Sequence, residues 1–156
     1  MQANIQIDST DAKILTALGE DGRRSYAEVG AEVGLSTAAV HERVKKMLER
    51  GVIRRFSISV DPLTVDLNFT AFVAIRNDGG THCRDIAAHL RKVEAVQELH
   101  SVAGEYDLLA KVRTAHARDL EAVLLQIKAI PGVARTTSTV VLNTEFEDQP
   151  LRLPGG

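Results

Sequence analysis

The first part of the chain carries apolar residues at helical spacing, separated by polar residues that favour helix ends. Asp8 precedes an apolar stripe formed by Ile14, Leu15 and Leu18, and Asp21 comes directly before a glycine. Short acidic side chains accept hydrogen bonds from the free N–H groups at a helix start, so Asp8 predicts the beginning of a helix. The pattern therefore predicts a short first helix that ends near Asp21.

Two further helices are predicted in quick succession. Ser25 with Glu28 three residues later forms a capping box, and Gly34 marks the end of the second helix. Gly30 within that helix costs about 1 kcal/mol relative to alanine, so we expect a neighbouring helix to approach it closely. Ser36 caps the third helix, which has an apolar stripe at i, i+4, i+7 and i+8 spacing. This stripe consists of Val40, Val44, Met47 and Leu48.

After Gly51 the spacing of apolar residues changes from helical to alternating. The segment VIRRFSISV, residues 52–60, is rich in β-branched residues, and Asp61 followed by Pro62 closes it. Alternation of this kind is typical of a strand with one buried face. We therefore predict a strand at 52–60.

From Phe69 onward the pattern predicts the order strand, helix, strand, strand, helix, strand. The predicted strands are FTAFVAI, VQELHSVA, YDLLAKV and VARTTSTVVL. We expect Thr81 to cap the first of these two helices and Pro131 to end the second. This order of elements is the split βαβ, ferredoxin-like arrangement. The sequence thus predicts an α+β protein in which a helical N-terminal part precedes a βαββαβ domain.

The strand FTAFVAI is apolar on both faces. Phe72 and Ala74 lie on the side opposite to Ala71, Val73 and Ile75. The two helices of a βαββαβ domain cover one face of its sheet, so the other face needs a different cover. We expect a second copy of the chain to provide it.

Composition excludes several classes of protein. The chain has 156 residues, of which 44% are apolar, and no segment approaches the roughly 18 apolar residues that a membrane span needs. The N-terminus has no basic start followed by an apolar run, so we expect a cytoplasmic protein. Cys83 is the single cysteine, which excludes an intramolecular disulfide. With no Trp and 4% aromatic residues, the chain lacks the stacking platforms of single-strand binders.

Positive charge is concentrated in one short window. The formal net charge of the chain is -2, yet residues 43–55 contain six Lys or Arg side chains and one Glu. A solvated helix face is the ordinary explanation for a run of charge. Here the window follows two short helices with a glycine-containing turn between them, which is the layout of a helix-turn-helix with its recognition helix. The predicted strand at 52–60 takes the place of the wing.

The start of the third helix suits the major groove of duplex DNA. Ala38 and Ala39 are small, so the helix can approach closely and contact thymine methyl groups. Thr37, His41 and Glu42 can reach base edges, with Glu42 accepting from a cytosine amino group. Basic residues farther along can contact phosphates and supply affinity without sequence choice. These basic residues are Arg43, Lys45, Lys46, Arg50, Arg54 and Arg55.

Several motifs resemble the Lrp/AsnC (leucine-responsive regulatory protein, feast/famine) family of transcriptional regulators. They are IDSTDAKILTAL, DGRRSYAEVGAEVGLS, HERVKKMLERGVI, VAGEYDLL, and IPGV followed by RTTSTVVL. Gly30 stands where the family usually has Ala or Ser, and Arg24 where an aliphatic residue is frequent. The resemblance implies a winged helix-turn-helix at 1–52, a wing or linker strand at 53–68 and a ligand-sensing βαββαβ (RAM) domain at 69–145. Residues 146–156 are then a C-terminal tail.

The resemblance also implies partners. Family members assemble into dimers, often into octamers, and commonly bind a free amino acid between sensing domains. Backbone N–H groups and hydroxyls can receive its carboxylate, and Asp107 or a carbonyl can receive its ammonium. An ordinary hairpin beside a threonine-rich strand remains the alternative interpretation. The positions that match the family's effector site are Gly104, Glu105, Tyr106, Asp107, Thr137, Ser138 and Thr139.

Two other functions are compatible with this layout. Siroheme decarboxylases resemble it, but the candidate ligands are spread along the chain, and surface histidines are the simpler interpretation. These candidates are His82, Cys83, His89, His100 and His116. An architectural DNA-binding protein would share every feature except the response to an effector. We expect no catalytic residue, cofactor, metal or membrane partner.

Overall fold

The computed structural model describes residues 7–151 and 153, which form two compact units. The first unit contains the described residues up to Ser59 together with those from Phe146 onward, and the second runs from Val60 to Glu145. Each unit has an apolar core of its own.

The first helix, α1, spans Ser9–Glu20 and begins as the sequence predicts. The carboxylate of Asp8 accepts a hydrogen bond from the backbone N–H of Asp11 at 2.7 Å, and the Asp11 side chain accepts from the Asp8 N–H. This reciprocal capping box satisfies two of the N–H groups that a helix start leaves without partners. Ile14 and Leu18 are buried on the inner face of α1.

Helices α2 (Tyr26–Val33) and α3 (Thr37–Glu49) complete the helix-turn-helix. Ser25 and Glu28 form the predicted capping box of α2, and the Ser36 hydroxyl caps α3. Gly34 ends α2 with a φ of 74°, the left-handed region that glycine adopts most readily. The buried stripe of α3 consists of Val40, Val44 and Met47. The prediction that Leu48 belongs to it is wrong, because Leu48 lies at the stripe's edge and is 39% exposed.

Gly30 is required by the turn that follows α2. A Cβ atom on Gly30 would lie 2.5 Å from the carbonyl oxygen of Leu35, closer than real Cβ contacts allow. The Leu35 N–H in turn donates a 2.8 Å hydrogen bond to the Gly30 carbonyl. The close approach expected at Gly30 is therefore made by the backbone of the turn, and not by the body of a neighbouring helix.

The strand predicted at 52–60 is not formed. Residues 52–60 form neither a helix nor a strand, and a short 3₁₀ helix follows at Pro62–Val65. A strand is stabilised by backbone hydrogen bonds to a neighbouring strand, and none of the four strands in the described residues pairs with this segment. Val52 is half-buried against the core of the first unit, but the later alternating side chains Phe56, Ile58 and Val60 are exposed, with Ile58 at 82%. The expected wing is therefore absent from the described part of this chain.

The second unit is the predicted βαββαβ domain. Its four strands form one antiparallel sheet with the order β2-β3-β1-β4, as in a split βαβ arrangement. The elements are β1 (Phe69–Asn77), α4 (Cys83–Leu90), β2 (Val96–Ser101), β3 (Leu108–Thr114), α5 (Ala117–Lys128) and β4 (Val133–Val140).

One face of the sheet is covered by the two helices. Ala71, Val73 and Ile75 of β1 are completely buried with Ile86 of α4 and Ile127 of α5. On the opposite face Phe72 is 39% exposed, in agreement with the predicted two-faced strand.

Helix α4 begins one residue later than the sequence predicts. His82, and not Thr81, is its N-cap, and the imidazole Nδ1 accepts from the backbone N–H of Arg84 at 3.2 Å. The Thr81 N–H is bound by the Asp78 carboxylate in the preceding turn. The Asp78 carboxylate accepts from the N–H groups of Gly80 and Thr81, so Thr81 belongs to this turn and the next residue caps the helix.

We predict opposite effects of alanine at the two helical glycines of the first unit. Gly30→Ala pushes a Cβ into the Leu35 carbonyl, and overpacking of this kind costs about 1–3 kcal/mol. At Gly19 in α1 the nearest atom to an added Cβ is 3.8 Å away, so Gly19→Ala gains roughly 0.5 kcal/mol from helix propensity. Urea unfolding followed by circular dichroism measures both. If both variants were equally stabilised, the backbone contact at Gly30 would not constrain the turn.

Candidate nucleic-acid interface and ligand site

The predicted reading face of α3 is presented to solvent. The buried stripe of α3 fixes the rotation of the helix, because its three residues can reach the core in one orientation only. Thr37, Ala38, His41 and Glu42 are exposed on the other side, and Ala39 is half-buried. The structure thus brings the predicted base-reading residues together within the first two turns of α3.

Three predicted phosphate contacts lie farther along α3. Lys45 and Lys46 are exposed in its C-terminal half, and Arg50, also exposed, is its C-cap. Lys46 and Arg50 line a surface depression that also contains Asp8, Asp11 and Met47. Positive charge at the end of a helix is also favoured by the helix dipole, so a structural reason for these side chains exists beside a functional one.

Arg43 makes a contact that the sequence prediction did not anticipate. Its guanidinium lies 2.7 Å from the Asp8 carboxylate and 2.7 Å from that of Asp11, and so joins α3 to the capping box of α1. Hydrogen bonds from the Asp11 N–H and from Arg43 hold the pKa of Asp8 below its ordinary value. The hydrogen bonds of Arg43 to the carboxylates of Asp8 and Asp11 raise the pKa of Arg43. The feature of the sequence that could have indicated this contact is the pair of carboxylates in the capping box of α1, because they need a basic partner and α3 contains several basic residues.

Arg54 and Arg55 are exposed, but on a segment that has no strand partner. They therefore do not extend the basic surface along a wing in the way that the sequence predicts. Both belong to the same compact unit as α3, and their contact with DNA stays a prediction.

Tyr26 is a neighbour of the reading face that sequence reasoning missed. Its ring meets the imidazole of His41 edge to face, with ring centroids 5.8 Å apart and an angle of 62° between the planes. His41 Nδ1 also lies 3.8 Å from the Glu42 carboxylate. Tyr26 is the first residue of α2, fifteen positions before His41, so local spacing gave no signal of this contact.

In the second unit, one hydrogen bond joins the two segments of the predicted effector site. The hydroxyls of Tyr106 and Thr137 are 2.8 Å apart, which connects the loop between β2 and β3 to β4. The pairing register places Thr137 opposite Ala74 and Thr139 opposite Phe72, on the face of the sheet that the helices leave open. Ser138 is paired with Val73, so its side chain points to the other face.

Asp107 anchors the loop that carries the remaining predicted effector residues. Its N–H donates to the Ile75 carbonyl at 3.0 Å, and its carboxylate accepts from the N–H of Asn77 at 2.9 Å. Gly104 has a φ of 144°, a conformation that L side chains rarely adopt, and Glu105 is exposed. The loop is therefore built around backbone contacts to β1, and one carboxylate oxygen of Asp107 is already engaged.

The histidines do not form a common site. His82 and His116 are helix N-caps, and His100 lies 3.4 Å from Glu98. Among residues 7–151 and 153, no group of three or more His, Cys, Asp or Glu side chains could hold a metal ion. Within the same residues, no helix has both the length and the apolar character of a membrane span.

A helix-turn-helix whose third helix exposes Lys45 and Lys46, joined in one chain to an antiparallel α+β unit, is the layout of a two-domain DNA-binding regulator. Comparison with protein families agrees with this class. Residues 7–48 match the AsnC-type helix-turn-helix domain, and residues 70–151 match the Lrp/AsnC ligand binding domain. The chain belongs to the Lrp/AsnC family of transcriptional regulators.

Individual relatives are similar over nearly their whole length. The chain is 37% identical to the HTH-type transcriptional regulator LrpA of Mycobacterium tuberculosis, over 94% of this chain and 97% of the relative. It is 34% identical to the HTH-type transcriptional regulator FL11 of Pyrococcus abyssi, with the same coverage. These names agree with the prediction that the protein is not an enzyme.

Two solved structures similar to this chain contain an amino acid. The feast or famine regulatory protein of M. tuberculosis complexed with L-methionine superposes with a TM-score of 0.90 at 37% identity, covering 96% of this chain and 100% of that one. A transcriptional regulator of Neisseria meningitidis in complex with L-Met has a TM-score of 0.87 at 28% identity, covering 94% and 97%. The predicted α+β fold class and family resemblance are thereby confirmed.

We predict that Arg43 stabilises the first unit in a pH-dependent manner. Arg43→Met removes the link between α3 and the Asp8–Asp11 box, so the midpoint of urea unfolding falls at pH 7. Asp8 has a folded-state pKa below its ordinary 3.8, so the stabilisation is complete above about pH 5 and is lost as the pH falls through the folded-state value. The difference between variant and parent therefore shrinks below about pH 4.

Lys45→Met is the matched control, because it removes the same charge from an exposed position on the same helix. We expect Lys45→Met to leave the midpoint of urea unfolding unchanged at pH 7 and at pH 3. A loss of stability in Arg43→Met that was as large at pH 3 as at pH 7 would show that packing, and not the ion pair, is responsible.

Proposed function

We propose that this Lrp/AsnC-type regulator binds duplex DNA through α3 and that an amino-acid effector changes that binding. The observation that carries the proposal is the orientation of α3, whose apolar stripe is buried while its polar and basic face is exposed. In this proposal the first turns of α3 enter the major groove, and the basic residues behind them contact phosphates.

The proposed base contacts follow from side-chain chemistry. Ala38 and Ala39 permit close approach, Thr37 and His41 can donate or accept, and Glu42 can accept from a cytosine amino group. Two copies of α3 in a dimer would meet two half-sites about one helical turn apart, and the preferred sequence would be pseudo-palindromic.

An amino-acid effector is supported by the chemistry of the loop and β4. Two hydroxyls, those of Tyr106 and Thr137, lie within hydrogen-bonding distance of each other, and Tyr106 belongs to a loop that contains Gly104. Such groups bind a carboxylate well. The two similar proteins solved with L-methionine favour an amino acid over other effectors of that size.

A second copy of the chain is the proposed cover for the open face of the sheet. Phe72 is 39% exposed on that face, next to Thr139 and in the same row as Lys111. An effector bound beside this face could favour one assembly over another, and it would act only through its different affinity for the two. The effector therefore need not touch α3 to change DNA binding.

We predict that Lys46→Ala weakens binding to all duplexes about equally. The loss of one phosphate contact lowers the slope of log affinity against log salt by about one. Fluorescence anisotropy on the DNA upstream of the protein's own gene and on an unrelated duplex, across a salt series, measures both effects. Lys128→Ala in α5 removes an exposed lysine from the other unit and serves as the control. An unchanged slope in Lys46→Ala would place that side chain in solvent in the complex.

We predict that Thr137→Val abolishes the effector response and leaves DNA binding intact. The substitution removes the hydroxyl bonded to Tyr106 and keeps the shape of the side chain. Each common amino acid is first titrated against the DNA complex of the parent, and any that shifts the affinity is then tested on the variant. Thr136→Val is the matched control, because Thr136 pairs with Ile75 and points to the opposite face.

The controls separate the alternatives. A shift that survived in Thr137→Val would place the effector elsewhere. Tight binding that no amino acid altered would favour the architectural function, in which Asp107 and Tyr106 only stabilise the loop.

A further inference from the structure

Tyr26 contacts both the apolar core of the first unit and the exposed side chain of His41. Its ring is half-buried and packs against the apolar core of the first unit, so the surrounding helices hold it in place. The same ring meets the imidazole of His41, with 5.8 Å between centroids. Edge-to-face contacts between aromatic rings are attractive beyond the area they bury, because the positive edge of one ring meets the negative face of the other. Tyr26 therefore connects the apolar core of the first unit to an exposed side chain of α3.

His41 would be free to reorient without this contact. It lies on the exposed face of α3 with 61% of its side chain accessible to solvent, and an imidazole on a helix surface has two rotatable bonds. Reading a base edge requires a single ring orientation, and the cost of ordering a side chain is subtracted from the binding energy. The contact with the ring of Tyr26 restricts the space in which the His41 ring can reorient.

Glu42 lies beside the same imidazole, with its carboxylate 3.8 Å from Nδ1. His41 and Glu42 are consecutive in sequence, and both are exposed near the start of α3. An N–H of imidazole can donate to guanine N7 or O6, and a carboxylate can accept from the cytosine amino group. The two side chains together are complementary to the major-groove edge of a G·C pair.

We propose that Tyr26 is a positioning residue for sequence recognition, because its ring orients His41 so that His41 and Glu42 read a G·C pair together. The proposal rests on the proposed function of α3 as the reading helix and adds to it a residue of α2 and a base preference. It assigns the effect to the ring of Tyr26 and not to its hydroxyl. Tyr26→Phe therefore retains the function, whereas Tyr26→Leu loses it while keeping an apolar side chain in the core.

The test is the base preference of the purified full-length protein on a randomised duplex library, determined by sequencing the bound fraction. The parent, Tyr26→Phe, Tyr26→Leu, His41→Ala and the double variant Tyr26→Leu/His41→Ala are compared. Tyr26→Leu is expected to reduce the preference for the G·C pair about fivefold or more, the size of one lost base contact. Affinity for unrelated DNA changes less than twofold, Tyr26→Phe matches the parent, and the double variant equals His41→Ala.

A measurement on the parent protein tests the geometry without any substitution. Nuclear Overhauser effects between the Tyr26 ring and the His41 ring, together with couplings that report one His41 rotamer, are expected in the free protein. Averaged rotamers and no Overhauser effect would overturn the proposal even if Tyr26→Leu failed to fold.

Three outcomes of the library experiment would also overturn it. An unchanged profile in Tyr26→Leu removes the positioning role. Loss of the G·C preference in Tyr26→Phe, as large as in Tyr26→Leu, shows that the hydroxyl and not the ring is responsible. A further loss when Tyr26→Leu is added to His41→Ala shows that Tyr26 acts through another group. Failure of the proposed function looks different, because then His41→Ala also has the profile of the parent.

Discussion

The geometry of the DNA-binding unit depends on a backbone contact at Gly30. The Leu35 carbonyl occupies the space where any other residue would place its Cβ, and the Leu35 N–H bonds to the Gly30 carbonyl at 2.8 Å. This contact sets how α3 leaves the turn after α2. The burial of the α3 stripe then sets the rotation of that helix, and both conditions are needed before Tyr26 can reach His41. The proposed recognition surface thus follows from the packing of one turn.

Charged groups in both units hold segments together as well as facing solvent. Arg43 joins α3 to the capping box of α1, and Asp107 joins the loop before β3 to the backbone of β1. In each case a carboxylate satisfies backbone N–H groups that regular structure leaves without partners. A contact of these residues with DNA or with an effector would have to form in addition to these structural contacts. Because Asp107 is already bonded to the backbone of β1, its side chain has little freedom to reorient towards an effector.

Local patterns predicted the elements well where the responsible interaction was itself local. The Asp8 and Ser25 caps form within three residues, and the apolar stripes of α1 and α3 repeat within a turn. Prediction failed where a distant partner or a competing local turn decides the outcome. The segment 52–60 alternates like a strand but has no strand beside it, and Thr81 is held by Asp78 instead of capping α4.

The sequence by itself determined the three helices of the first unit, the βαββαβ order of the second, the position of the basic window and the family. These depend on the spacing of apolar and capping residues, which a single chain displays directly. Only the tertiary structure decided which predicted residues meet. Arg43 is one of six basic residues in the window, and only the fold brings it to Asp8. Tyr26 contacts His41 only because α2 and α3 pack together. Contacts between residues far apart in sequence leave no periodic signal, because they depend on how the elements are arranged in space.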